Sequence, residues 1–143
     1  MNHESSLDDE TYLKEFCAYQ VDAGEFHHRE HLRVAYALLV NNRPEKAFSE
    51  LRTHILGLLN YLGVGTSKYN ETMTYAWLLV VHHFMCMTAR CKCFDEFIQR
   101  NPILLDQRII YTHYSEALIK SDKAKAQCLE ADLEKIPRHP GIA

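Results

Sequence analysis

The stretch Met73-Thr74-Tyr75-Ala76-Trp77-Leu78-Leu79-Val80-Val81-His82-His83-Phe84-Met85 decides the fold. It is too long for an ordinary strand, and wound at roughly 100° per residue it is apolar nearly all round. A helix with no polar face has to be enclosed by other helices, so this one belongs at the centre of a bundle. It is expected to run over roughly 68–90, with Ser67 or Asn70 to start it.

The neighbouring segments supply the enclosing helices. Upstream, Ala47, Phe48, Leu51, Ile55, Leu58, Leu59 and Leu62 repeat at threes and fours, with Pro44 at the first helical position and Gly63 as the C-terminal cap. The turn Asn41-Asn42-Arg43-Pro44 separates this helix from one running from about His27 to Val40. A first helix is expected from Ser6, whose hydroxyl can cap it, while Asp8, Asp9 and Glu10 favour the positive end of its dipole. Leu7, Tyr12, Leu13 and Phe16 carry it to about Asp22, and Gly24 ends it. Downstream, Phe94–Ile98 forms one short piece, Asn101-Pro102 opens another, and Ser115 or Ser121 caps the last. Residues 122–135 read as a charged, exposed helix and 136–141 as a frayed end. The expected architecture is all-α, a single domain over residues 1–143, with four main helices and short C-terminal ones.

Composition narrows the function classes. Hydrophobic content of 47% and charged content of 24% are those of an ordinary globular domain. A net charge of −3, with no Lys/Arg stripe, leaves no footprint for nucleic acid. No apolar run approaches the roughly 18 residues that span a bilayer, so no membrane segment is expected. The opening Met1-Asn2-His3-Glu4-Ser5-Ser6 has neither a basic nor an apolar region of a secretory signal, and the cytoplasm is the expected location. The five cysteines are then expected as reduced thiols. Cys86, Cys91 and Cys93 lack the paired C-x2-C spacing of structural zinc, although Arg90 and Lys92 beside Cys91 and Cys93 raise their expected reactivity. Phosphate-cradling and dinucleotide motifs are absent, as is a nucleophile elbow.

The chemistry-bearing segment is Gly24-Glu25-Phe26-His27-His28-Arg29-Glu30-His31-Leu32. His28, Leu32, Ala35 and Leu39 share one helical stripe, with His31 and Leu38 at its edge. Two imidazoles one turn apart on the apolar side need partners, because an unpaired buried polar group costs about 1–3 kcal/mol. Glu71, at the first turn of the central helix, shares a stripe with Tyr75, Leu78, His82 and Met85. Two histidines and a carboxylate from facing helices are a donor set for a divalent transition metal (iron, zinc, copper or nickel), so His28, His31 and Glu71 are the candidate ligands. Glu25 and Glu30 are further candidates, as ligands or as groups fixing an imidazole tautomer. Against this stands dipole stabilisation of Glu71 alone, with satisfied or solvent-facing histidines. His82 and His83 lie roughly 16 Å along the helix from Glu71 at 1.5 Å per residue, too far to share an ion, and a tyrosine partner is expected for buried His82. His54 is expected at the edge of the third helix, His3 and His139 as terminal groups, and Tyr12, Phe16, Tyr19, Phe48 and Trp77 as core. His113-Tyr114 is a candidate flap over the bundle.

Phe26-x-His28-x-x-His31-Leu32, Tyr69-x-Glu71-Thr72 and Tyr114-Ser115 together resemble a mostly uncharacterised family of small helical bacterial proteins with F-x-H-x-x-H-L, Y-H-E-T and Y-Y-S segments. The resemblance covers roughly residues 24–120. It implies that His28, His31 and Glu71 act together, with Tyr69 and Tyr114 as neighbours. Asn70 stands in place of the histidine of Y-H-E-T, and His113 in place of the first tyrosine of Y-Y-S. If the missing histidine is a ligand, this chain binds metal more weakly or uses His113 instead.

Three expectations follow. The first is a metal-dependent enzyme on a small-molecule substrate, with Glu25, Tyr69, His113 and Tyr114 lining the pocket. The second is a non-catalytic interaction or regulatory module in which these contacts are structural. The third is a metal-free acid–base enzyme with Glu71 as base and a histidine as acid.

Overall fold

The computed structural model describes residues 2–139, and its regular structure is helical with no strand among them. Helix α1 (Leu7–Cys17) begins in a capping box: the Ser6 hydroxyl accepts from the Asp9 N–H at 3.0 Å, and the Asp9 carboxylate accepts from the Ser6 N–H at 3.2 Å. It stops well short of Asp22. Tyr19 turns into the left-handed region with φ 60°, and Asp22 caps a separate 3-10 turn, Ala23–Glu25, by accepting from the Gly24 N–H.

Helix α2 (His28–Asn41) follows, and after Asn42-Arg43 comes α3 (Pro44–Leu62), with Pro44 at its first position and Gly63 in the left-handed conformation closing it at φ 70°. The central helix α4 (Glu71–Met87) is capped by Asn70, whose side-chain oxygen accepts from the Met73 N–H at 2.9 Å. Short connections make α3 run back along α2 and α4 back along α3, so α2 and α4 start at the same end of the bundle. As its composition requires, α4 is enclosed: α2, α3 and the later α6 (Ile110–His113) and α8 (Asp122–Ala126) all pack on it. Phe16, Leu32, Tyr36, Leu78, Met85 and Phe94 are fully or almost fully buried around it.

Both flanking segments are tied down. His3, expected as a terminal group, is buried and joins the end of α4 to the loop beyond. Its Nε2 donates to the Met85 carbonyl at 2.7 Å, and its Nδ1 accepts from the Cys91 N–H at 3.0 Å. Helix α5 (Phe94–Arg100) and 3-10 turns at Pro102–Leu105 and Gln107–Ile109 lead into α6. Ser115 and Ser121 each cap a short helix, α7 (Glu116–Ile119) and α8.

The helix expected over 122–135 ends at Ala126. Beyond it the backbone groups pair sideways. The Thr72 hydroxyl donates to the Gln127 carbonyl at 2.6 Å and accepts from the Leu129 N–H at 3.0 Å, while the Leu133 N–H donates to the His113 carbonyl. The chain therefore lies across α4 and α6 as an extended strap. Of the frayed end expected at 136–141, residues 140 and 141 lie outside the described residues. No helix among the described residues is long and apolar enough to cross a membrane.

Candidate functional site

A cavity of about 390 Å³ opens between α2, α3 and α4. Its walls follow from the helix faces. Helix α2 contributes His28, His31, Leu32 and Ala35, spaced at threes and fours. Helix α3 contributes Leu51, Ile55 and Leu59, one apolar stripe. Helix α4 contributes Met73, Thr74, Trp77, Leu78 and Val81. Lys68, Tyr69 and Asn70, just before α4, lie at one end with His27, and Gln107 closes the side. The cavity falls within the usual size of small-molecule sites, roughly 300–1,000 Å³, and shares their mostly apolar lining with a few polar groups.

The two histidines of the H-x-x-H segment both face this space but differ in state. His28 is anchored: its Nε2 donates to the Leu104 carbonyl at 2.9 Å, and its ring stands edge-on to Trp77, centroids 4.5 Å apart. Among the described residues, His31 has no side-chain hydrogen-bond partner. Phe26 packs on its ring, centroids 4.3 Å apart, and His31 is an exposed residue of the cavity wall. Removal from bulk water pushes the His31 imidazole down to about 4; neighbouring His28 adds to this and Glu30 opposes it. His31 is therefore neutral at pH 7, with a free lone pair and a free N–H in the pocket.

Glu71 is not part of this group. Its carboxylate receives the Arg52 Nε at 2.9 and 3.0 Å and the Tyr69 hydroxyl at 2.6 Å, on the side of a separate, shallower cleft with Lys125. The expected His28–His31–Glu71 cluster does not assemble, because Arg52 of α3 draws the carboxylate away from the histidines. Among the described residues, no three His, Cys, Asp or Glu side chains are grouped to hold one metal ion. The same pairing leaves Glu71 poorly placed as a base toward the cavity. Tyr69 lines the cavity with its ring while its hydroxyl serves Glu71, and burial, followed by that carboxylate, pushes the phenol well above its ordinary range.

The other candidates lie elsewhere. Glu25 is exposed on its 3-10 turn and Glu30 accepts from the His27 N–H at 2.9 Å. Tyr114 is buried beside α4, donating to the Leu129 carbonyl at 2.7 Å, and His113 Nδ1 donates to the Glu134 carbonyl, so neither forms a flap. Asn70 holds α7 through the Ile119 carbonyl at 2.6 Å as well as capping α4. Buried His82 meets the Cys86 sulfur at 3.7 Å rather than a tyrosine, and His83 Nδ1 pairs with His139 Nε2 at 2.7 Å. Cys91 is buried, and burial pushes its thiol up despite nearby Arg100, opposite to the expected reactivity.

No protein-family model, no curated protein and no solved structure matches the chain. Trp77, expected as core, is a half-buried cavity wall, and Lys68, Met73, Thr74, Gln107 and the α3 stripe join it there without an advance signal. An apolar stripe lining a cavity has the same spacing as one filling a core; only the packing tells them apart.

Proposed function

We propose that this protein binds a small, predominantly apolar molecule inside the bundle, with His28 and His31 as the polar anchors. The observation that carries the reading is the cavity: a mostly apolar space whose wall carries the imidazole of His31, which has no hydrogen-bond partner among the described residues. A polar group in such a place is left short of partners unless water or a ligand supplies them. Anchored His28 would fix the ligand's orientation, and its bond to Leu104 sets the proton on Nε2 and leaves Nδ1 as an acceptor. The segments around His28–His31 and Tyr69, which carry two parts of the family resemblance, both contribute to this pocket.

Trp77 is the only tryptophan and lines the cavity, so its emission reports occupancy directly. Titration with the neutral apolar dye N-phenyl-1-naphthylamine should quench Trp77 saturably at one dye per chain. Filling the cavity with Ala35→Met should weaken that binding by about tenfold or more while the helical circular dichroism stays unchanged. Non-saturable quenching, or equal affinity in the filled variant, would remove the basis for the pocket.

A further inference from the structure

The chemistry of the occupant can be read further, on the premise that the pocket binds a ligand. Polarity is graded along the cavity. His28, His31, Lys68, Tyr69 and Asn70 come from the starts of α2 and α4 or from the residues just before α4. Later turns bring Ala35, Leu78 and Val81, and α3 brings only Leu51, Ile55 and Leu59. Most of the polar groups thus gather at one end, with Thr74 and Gln107 the polar groups of an otherwise apolar body.

The lining of that end carries one ammonium, Lys68. No Asp or Glu lines the cavity. Around that end Glu71 is paired with Arg52 and Tyr69, Glu30 accepts from the His27 N–H while its charge still reaches His31, and Glu25 is exposed on its turn. Lys68 has no carboxylate within ion-pair reach among the described residues. The peptide dipoles of α2 and α4 both turn their positive ends this way, and a low-dielectric wall strengthens their effect. His31, without a hydrogen-bond partner among the described residues, adds an N–H to the cavity wall.

From this arrangement we infer that the pocket takes an amphipathic monocarboxylate, its apolar body among the leucines of α3 and its carboxylate between Lys68 and His31. A single ammonium matches a single negative charge, the helix dipoles favour it, and His31 contributes a neutral hydrogen-bond donor, the one N–H of His28 being already given to Leu104.

Two sets of probes with matched bodies test this on the full chain: octanoate, octanol and octylamine, and then 3-phenylpropanoate with its alcohol and its amine. Affinities are read by Trp77 emission and calorimetry. Each acid should bind at least tenfold more tightly than its alcohol, with the amine weakest. Lys68→Met, at an exposed position, should lower acid affinity about tenfold and leave the alcohols unchanged. His31→Gln should also weaken the acids, and its far-ultraviolet spectrum reports whether the fold is retained. Alcohols binding as tightly as acids, or an unchanged acid affinity in Lys68→Met, would overturn the inference. If the naphthylamine dye binds and neither acid does, the carboxylate assignment falls and the pocket reading stands; if the dye fails too, both fall.

Discussion

Gly57 on α3 shows how one missing side chain sets the packing of two helices. A Cβ there would meet the Tyr19 hydroxyl oxygen at 2.0 Å and its Cζ at 2.7 Å. Tyr19 has little room to yield, because it sits at φ 60° with its ring stacked on Tyr61 at 5.6 Å. In an open helix Gly→Ala would gain about 1 kcal/mol. Here overpacking, which costs about 1–3 kcal/mol, decides the sign. Gly57→Ala should therefore destabilise the protein in urea titrations, whereas the same change made on a Tyr19→Ala background should be stabilising. At this scale the sequence was partly legible. The spacing of His28 and His31 placed both on the cavity side, because a helical repeat is local information. The fate of Glu71 was hidden, since its partner Arg52 belongs to another helix and no spacing rule links the two. His3 was misjudged for the same reason: position near a terminus says nothing about the carbonyl and N–H it meets at Met85 and Cys91.

At the level of the helices, caps and apolar periods proved the readable signals. Ser6, Pro44, Gly63, Asn70, Ser115 and Ser121 all act at helix ends, where local chemistry satisfies the free backbone groups. The charged segment after Ser121 was misread because charge pattern alone cannot tell a helix from a strap whose backbone bonds are made to other elements. Thr72 is the hinge of that difference: its buried hydroxyl both gives to Gln127 and receives from Leu129. Thr72→Val keeps the shape and removes both bonds, leaving a carbonyl and an N–H unpaired, at about 1–3 kcal/mol. The expected result is a lower urea midpoint together with faster proteolysis of the strap after Lys135, while α1–α3 keep their protection.

For the molecule as a whole, acid should act in two stages. Burial lowers the imidazoles of His31, to about 4, and of His82, where His139 contributes as well. The unfolded chain binds these protons from about pH 6.5 downward while the folded protein refuses them, so stability is complete above that range and falls as pH drops toward about 4. Asp9 acts lower down. Burial on its own would raise its carboxyl, but the Phe94 and Ser6 N–H donors and the Arg33 guanidinium outweigh it and hold the group below its ordinary 3.8. Its contribution is present above that value and is lost as pH falls through the lowered one. Urea titrations from pH 7.5 to 4 should show a plateau down to about pH 6.5 and then a decline that is shallower in His31→Gln. Asp9→Asn should be less stable at pH 7 and less sensitive below about pH 4.

Helix α4 has α2 and α3 on one side and α6, α8 and the strap on others, and His3 ties the carbonyl of Met85 near its end. Its amide hydrogens from Ala76 to Val81 are held in the middle of the helix, with these layers around it and only the cavity on one side. In deuterated buffer they should exchange last, at a rate set by opening of the entire chain, and so provide a readout of global stability. A ligand seated against Trp77 would slow them further, which makes the slowest-exchanging protons of the protein a second, dye-free gauge of pocket occupancy.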